Sequence, residues 1–346
     1  MKKSDGHSNN NYYSIEDFYK VEKIDAHIHI NTFKRTIVEQ AVEDNFIFIS
    51  INVDGFPDTS IELQREYSIE QHSNYPENFF YLTTFRVKGF ELPGWKETVL
   101  KYLSESFVKG AVGVKVWKNI GMGEKTFDGK DIFIDDAIFE PILFWLQEIR
   151  IPLTGHIGEP KSCWLPIEKM VMKGDIDYFS KNPEYHMHLH PESPGYETQI
   201  ERRDSMLQKY PGLVFVGAHL GSLEWSVDEL AKRLDAYPLM SVDMAERICY
   251  FQYQSVENYE KVRDFIIKYQ DRLLYGTDII IDDTQNQEEE SKKAHELWMR
   301  DWIYFNTDRF MTSSGMTTEF IGLHLPKTVV DKIYSKNARR IYLLNK

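Results

Sequence analysis

Asp25-Ala26-His27-Ile28-His29 ends the first of eight short β-rich runs, and how it is read decides the fold. In a strand, residues two apart point to the same side, so His27 and His29 can reach a single ion. Working outward, the spacing predicts strands over 22–29, 46–53, 79–86, 111–116, 151–157, 213–219, 239–244 and 272–278. Several are almost wholly apolar, as in Phe46-Ile-Phe-Ile-Ser-Ile-Asn-Val53, which suits strands covered on both faces. Helical periodicity fills the gaps, for example over 136–149 and 256–269, where Val262, Phe265, Ile266 and Tyr269 share a face. Alternating strands and helices predict an α/β fold, a (β/α)8 TIM barrel, with an open doubly wound sheet as the alternative.

A length of 346 residues suits one barrel with insertions. The expected division is a polar N-terminal extension over 1–20 and a single domain over 21–346. The segment Gly158–Gly195 breaks the rhythm. It is long, holds Pro160, Pro166, Pro183, Pro191 and Pro194, and contains His186-Met-His188-Leu-His190. It reads as a lid or wall of a site. The acidic tract 282–293 reads as a solvated loop leading into a helix.

The composition, 42% hydrophobic and 14% aromatic, supplies a large core, and a formal charge of -13 argues against a nucleic-acid partner. Cys163 and Cys249 are far apart, so neither a disulfide framework nor a thiolate zinc site is indicated. Any metal must be held by histidine and carboxylate. The first twenty residues lack the apolar core of a signal peptide, and no run approaches the ~18 residues of a membrane span. The expectation is a cytoplasmic protein acting on a small molecule, with no membrane partner and self-association left open.

The polar residues fall where a barrel builds its site, at the strand C-termini. His27 and His29 end the first strand, His156 the fifth, His219 the sixth and Asp278 the eighth. Packing would favour valine, isoleucine or leucine there, so four imidazoles and a carboxylate point to a divalent cation. Imidazole nitrogen with one carboxylate oxygen suits zinc, ahead of manganese or iron. Arg86 and Arg247 are candidates to grip a substrate carboxylate as a fork, with surface ion pairing as the alternative. Asp243 could hold a ligand histidine by its second nitrogen, and so could Asp25, with an outward position against the helices as the alternative for Asp25. Glu159, Trp117, His188 and His190 are candidate walls of the substrate pocket, although Trp117 and Trp164 could equally serve as packing residues.

The order His27-X-His29, Lys115, His156, His219 and Asp278 resembles the amidohydrolase superfamily of metal-dependent barrels. Gly-Ala-His219-Leu-Gly, Leu-Leu-Tyr-Gly-Thr-Asp278 and Leu325-Pro-Lys-Thr-Val-Val-Asp-Lys-Ile-Tyr-Ser-Lys-Asn337-Ala resemble its amidohydrolase-related family. That branch includes aminocarboxymuconate-semialdehyde decarboxylase, resorcylate decarboxylase and pyrone-dicarboxylate lactonase. The likeness runs from about Ile24 to the C-terminus and does not specify the substrate. It implies one ion held by His27, His29, His156 and Asp278, with Asp278 also the general base and His219 beside the attacking water. Lys115 is implied to be either a carbamylated bridge between two ions or, as favoured here, an ordinary ammonium near the substrate. The implied activity is hydrolysis of an ester, lactone or amide, with non-oxidative decarboxylation as the alternative. A catalytically silent metal-binding barrel is a third reading, disfavoured because Asp278 and His219 supply acid–base groups.

Overall fold

Parallel strands pair in the order of the chain in a computed structural model that describes residues 11–56, 59–313, 315–316 and 318–344. They are β1 (Lys23–Asn31), β2 (Phe46–Ile51), β3 (Phe79–Thr83), β4 (Ala111–Val116), β5 (Leu153–Gly155), β6 (Phe215–Gly217), β7 (Met240–Asp243) and β8 (Leu273–Leu274). A further short strand, β9 (Ile280–Asp282), pairs with β1. The chain between β8 and β9 completes the ring. Met244 N–H donates to Leu274 O at 3.0 Å on one side, and Ala26 N–H to Tyr275 O at 3.0 Å and His29 N–H to Ile279 O at 2.8 Å on the other. The expected eighth strand is therefore interrupted, and Asp278 sits in the interruption with a left-handed φ of 65°. A non-glycine residue in that region carries backbone strain, which here turns a carboxylate out of the sheet direction.

Strand alternation sorts the apolar residues into two cores. Ile47, Ile49, Ile51, Leu82, Val216 and Leu274 fill the barrel, while Phe46, Phe48, Phe79 and Tyr81 pack outward against the helices. Along β1 this order changes. Ile24 and Ala26 belong to the inner cluster, Ile28 and Ile30 to the outer, and the register with β2 shifts between Asp25 and Ile28. Such a bulge inserts a residue and re-aims the side chains beyond it. Asp25 consequently faces outward. It accepts from Thr277 Oγ1 at 2.6 Å and Trp298 Nε1 at 3.4 Å, so it braces the Asp278 segment and does not hold a histidine ring.

The barrel's lower end is plugged by Ala338, Ile341, Tyr342 and Leu344, which join the inner cluster. Asn337 fixes that plug by donating its side-chain amide to Gln270 O at 2.7 Å and Leu273 O at 2.8 Å, a physical reason for asparagine in the closing Ser-Lys-Asn-Ala.

The expected helices appear as Glu140–Ile149 and Tyr259–Lys268, with Val262, Phe265, Ile266 and Tyr269 buried. The acidic tract leads into a helix as expected, with the helix, Gln287–Asn306, beginning inside the tract and its N-cap Asn286 accepting from Glu288 and Glu289 N–H. Glu288, Glu289 and Glu290 then occupy the first turn, where carboxylates favour the helix dipole. Residues 11–20, read above as part of a polar extension, carry a 3-10 turn over Ile15–Tyr19 that buries Phe18 against Phe46 and Trp302. The rest of that extension, 1–10, lies outside the described residues.

The insertion Gly158–Gly195 is built of short turns around a helix, Lys173–Lys181, with its own small core of Cys163, Met170 and Phe179. Lys173 N–H donates to Gly315 O at 3.1 Å, joining it to the loop of a two-residue hairpin, β10 (Phe310–Met311) and β11 (Phe320–Ile321). Among the described residues no helix is long and apolar enough to cross a membrane.

Candidate metal centre

Because the register shifts between Asp25 and Ile28, His27 and His29 both point into the barrel mouth, and their rings stand 5.4 Å apart. Asp278 Oδ1 lies 3.1 Å from His27 Nε2 and 3.0 Å from His29 Nε2. Its Oδ2 is 3.9 Å from His219 Nε2. His219 is carried by a tight turn after β6, with left-handed φ at His219, Leu220 and Gly221, and Arg203 beneath it donates to Gly221 O. Gly276 is needed at the approach of the Asp278 segment to β1, since a Cβ there would sit 2.9 Å from His27 Cβ.

The second nitrogens decide the tautomers. His29 Nδ1 is 2.6 Å from Ile51 O and His219 Nδ1 is 3.0 Å from Ala245 O. A carbonyl only accepts, so both Nδ1 atoms carry the proton and both Nε2 atoms present a lone pair. His27 Nδ1 donates likewise to Asp243 Oδ2 at 2.8 Å, and Asp243 Oδ1 accepts from His219 N–H at 2.9 Å. Such partners fix the orientation of metal-ligating imidazoles.

Burial holds His29 below its ordinary pKa and His219 well below it, so both are neutral. For Asp278 burial raises the pKa, but the charge of His27 outweighs it and holds the carboxyl well below the usual range. Burial and Lys115 pull His27 down, yet Asp243 and Asp278 prevail and hold it at about 9. A neutral Nε2 lone pair on His29 thus faces an ionised oxygen at 3.0 Å. Two acceptors at that distance repel unless a cation lies between them. The residues fit a divalent ion. With zinc–nitrogen and zinc–oxygen bonds of about 2.0–2.2 Å, tetrahedral ligand atoms stand about 3.3 Å apart, close to the spacing seen here. His27, His29 and Asp278 form one group with converging ligand atoms. In a second group, His27, His219 and Asp243, the carboxylate already bonds His27 Nδ1 and the His219 N–H, so it serves to position the imidazoles.

His156 stands beside this trio. Its ring is 4.4 Å from that of His219, but its Nε2 is 3.5 Å from Glu159 Oε2, and burial pulls it down to about 4. The structure gathers three of the four expected ligands into one group and leaves His156 at its edge. Burial alone would raise Glu159, but the Lys118 ammonium in contact with it holds it low. Lys115 is buried, with Nζ 3.3 Å from His27 Nε2, and burial lowers it to about 8.

These groups line one cavity of about 720 Å³, shared with Trp117, Glu159 and Arg247. The insertion walls it through Pro160, Met172, Asp175 and Tyr178. Other expected pocket residues are not brought there. Arg86 is exposed and pairs with Glu62 at 2.9 Å. His190 Nε2 bonds Pro183 O at 3.1 Å, while the His188 ring lies tilted 5.6 Å from that of His186, whose Nε2 bonds Leu165 O at 2.8 Å. Trp164 packs on Tyr196. The turns between Pro183 and Leu189 direct this histidine run into the insertion's own structure. Lys118 and Arg300 line the cavity without a sequence signal of their own, although Lys118 follows Trp117 directly.

The amidohydrolase family model matches residues 85–344, a span that includes His156, His219 and Asp278 and begins after His27 and His29. A search of curated proteins found no match. Among solved structures, 2,6-dihydroxybenzoate decarboxylase from Rhizobium is similar over 94% of this chain and 100% of its own, at 14% identity and a TM-score of 0.54. A TIM-barrel protein from Bordetella bronchiseptica covers 94% and 99% at 14% identity and a TM-score of 0.51. An amidohydrolase from Burkholderia multivorans with bound zinc covers 94% and 100% at 11% identity and a TM-score of 0.51. At these identities the likeness is one of fold, and it agrees with the barrel described above. With a match across most of its length and a barrel mouth that gathers histidines and an aspartate, the chain belongs to the amidohydrolase family.

Proposed function

We propose that the chain is a zinc-dependent hydrolase that cleaves an ester, lactone or amide bond in a small molecule. The reading rests on the two-sided placement of Asp278. Its Oδ1 joins His27 and His29 at 3.1 and 3.0 Å, while its Oδ2 faces the neutral His219 Nε2 across 3.9 Å. A carboxylate so held can accept a proton from a water in that gap. His219 Nε2 carries a lone pair, so it can accept the water's other O–H and aim its oxygen. When bound, a divalent ion supplies the acidity that makes water a nucleophile near neutral pH. Imidazole nitrogen with one carboxylate oxygen favours zinc, and one ion is favoured because Lys115 is read as an ammonium. A cavity of about 720 Å³ suits a small substrate.

A second reading, non-oxidative decarboxylation, rests on Lys115. A buried amine at about 8, with Nζ 3.3 Å from His27 Nε2, could deliver a proton to a substrate carbon. Turnover in heavy-oxygen water separates the two, using any substrate found in a panel of small esters, lactones, amides and acids. Hydrolysis places one solvent oxygen in the product. Carbon dioxide release with no solvent oxygen in the remaining organic product would reassign the reaction to decarboxylation.

A further inference from the structure

His27, His29 and His219 each tie Nδ1 to an acceptor and present Nε2 to the barrel mouth. His156 is turned the other way. Its Nε2 faces Glu159 Oε2 at 3.5 Å, the long limit of a hydrogen bond, and its Nδ1 has no hydrogen-bond partner among the described residues. Glu159 is carried by the loop after β5, and its Oε1 is in contact with Lys118 Nζ from the loop after β4. The side chains of Lys118 and Glu159 are only 16% and 7% exposed. Lys118 Nζ also lies 5.2 Å from the centre of the Trp117 ring and 5.8 Å from that of Tyr185.

Taking two charges out of water costs free energy, and apolar side chains could join the same two loops as well or better. A task for the carboxylate explains the pair. One Glu159 oxygen is on an ammonium and the other is on an imidazole, which leaves little for the substrate contact expected from the sequence. A carboxylate paired with an ammonium is ionised and only accepts. His156 Nε2 is therefore the nitrogen that carries the proton, and Nδ1 carries the lone pair.

We propose that Glu159 and Lys118 are positioning residues of the metal centre: Glu159 holds the Nε2 proton of His156 so that Nδ1 is left for the ion, and Lys118 fixes the carboxylate in that place. His156 then approaches from the edge, through the nitrogen opposite to the one His27 and His29 use, which accounts for its position outside their group. The pair does for His156 what Asp243 does for His27. The inference needs a divalent ion at the mouth and is independent of the reaction catalysed there.

Zinc affinity of the full chain, measured by chelator competition in a double-mutant cycle, tests this. Glu159→Ala should weaken zinc binding about 10- to 100-fold. Glu159→Gln, whose amide oxygen still accepts the Nε2 proton, should lose less. In a His156→Ala background, Glu159→Ala and Lys118→Gln should have no further effect, because the ring they act through is gone. Proton NMR of the cobalt(II)-loaded chain reads the nitrogen directly. Ligation through Nδ1 leaves the His156 Cδ2–H away from the ion as a sharp shifted line that His156→Ala removes, whereas ligation through Nε2 puts that proton beside the ion and broadens it. The parent spectrum decides this even if Glu159→Ala fails to fold. Equal zinc loss from Glu159→Ala with and without His156 overturns the proposal, making Glu159 a ligand or a general source of charge. So does an unchanged affinity in a folded Glu159→Ala, or a cobalt spectrum with no such sharp line. Failure to incorporate heavy oxygen during turnover would remove the hydrolase reading and leave these results standing.

Discussion

The Asp243 carboxylate holds the Nδ1 proton of His27 at 2.8 Å and, through its other oxygen, the backbone N–H of His219 at 2.9 Å. One side chain thus sets the tautomer of one imidazole and the position of another. Asp243→Ala should weaken metal affinity about 10- to 100-fold, the usual loss when a ligand's outer partner is removed. Competition with a chelator of known affinity measures this. An unchanged affinity would show that His27 needs no such support.

Asp278→Asn should lower kcat by about 10²–10⁴ while KM moves little, because an amide cannot accept the proton of the attacking water. Steady-state kinetics on zinc-loaded protein decide it. Near-normal turnover with the metal retained would move the base to His219.

Gly276→Ala places a methyl group 2.9 Å from His27 Cβ. Because backbone and a metal-site side chain must shift together, we expect a destabilisation of about 1–3 kcal/mol and weaker metal binding. Urea unfolding with and without zinc reads both. A variant as stable as the parent, with full metal content, would mean that the Asp278 segment yields easily.

Much of this site is legible in the sequence. The strand-end rule puts His27, His29, His156, His219 and Asp278 at one mouth because parallel strands with covered faces leave few other reasons for polar termini. What alternation alone does not give is the bulge in β1. Counting by twos from His27 puts Asp25 on the same face, whereas the register shift turns it outward to Thr277 and Trp298. The contact of Lys118 with Glu159 is likewise invisible, since it depends on how the loops after β4 and β5 meet. The His186–His190 run misleads for a related reason, because its turns are set by the insertion's own contacts.

Glu224 provides a pH test. Burial raises its folded-state pKa to about 7 from an ordinary 4.5. A raised pKa means that its contribution is fully present below about 4.5 and is lost as pH rises through about 7. The loss is on the order of 3 kcal/mol, since each tenfold difference in proton affinity between the folded and unfolded chain is worth about 1.4 kcal/mol. Glu224→Gln, which cannot ionise, should therefore gain stability relative to the parent between pH 5 and pH 8. Denaturant unfolding of both proteins at the two pH values checks the difference. A gap that stays constant would show that Glu224 is not held protonated.

The most direct measurement is metal content per chain, by elemental analysis, for the parent and for His29→Ala purified side by side. His29 offers Nε2 at 3.0 Å from Asp278 Oδ1 and has its other nitrogen tied to Ile51 O, so its free nitrogen is aimed at the proposed ion. The account predicts close to one zinc per chain in the parent and a small fraction of that in a folded His29→Ala. Equal zinc in both proteins, or none in either after growth with zinc supplied, would contradict it.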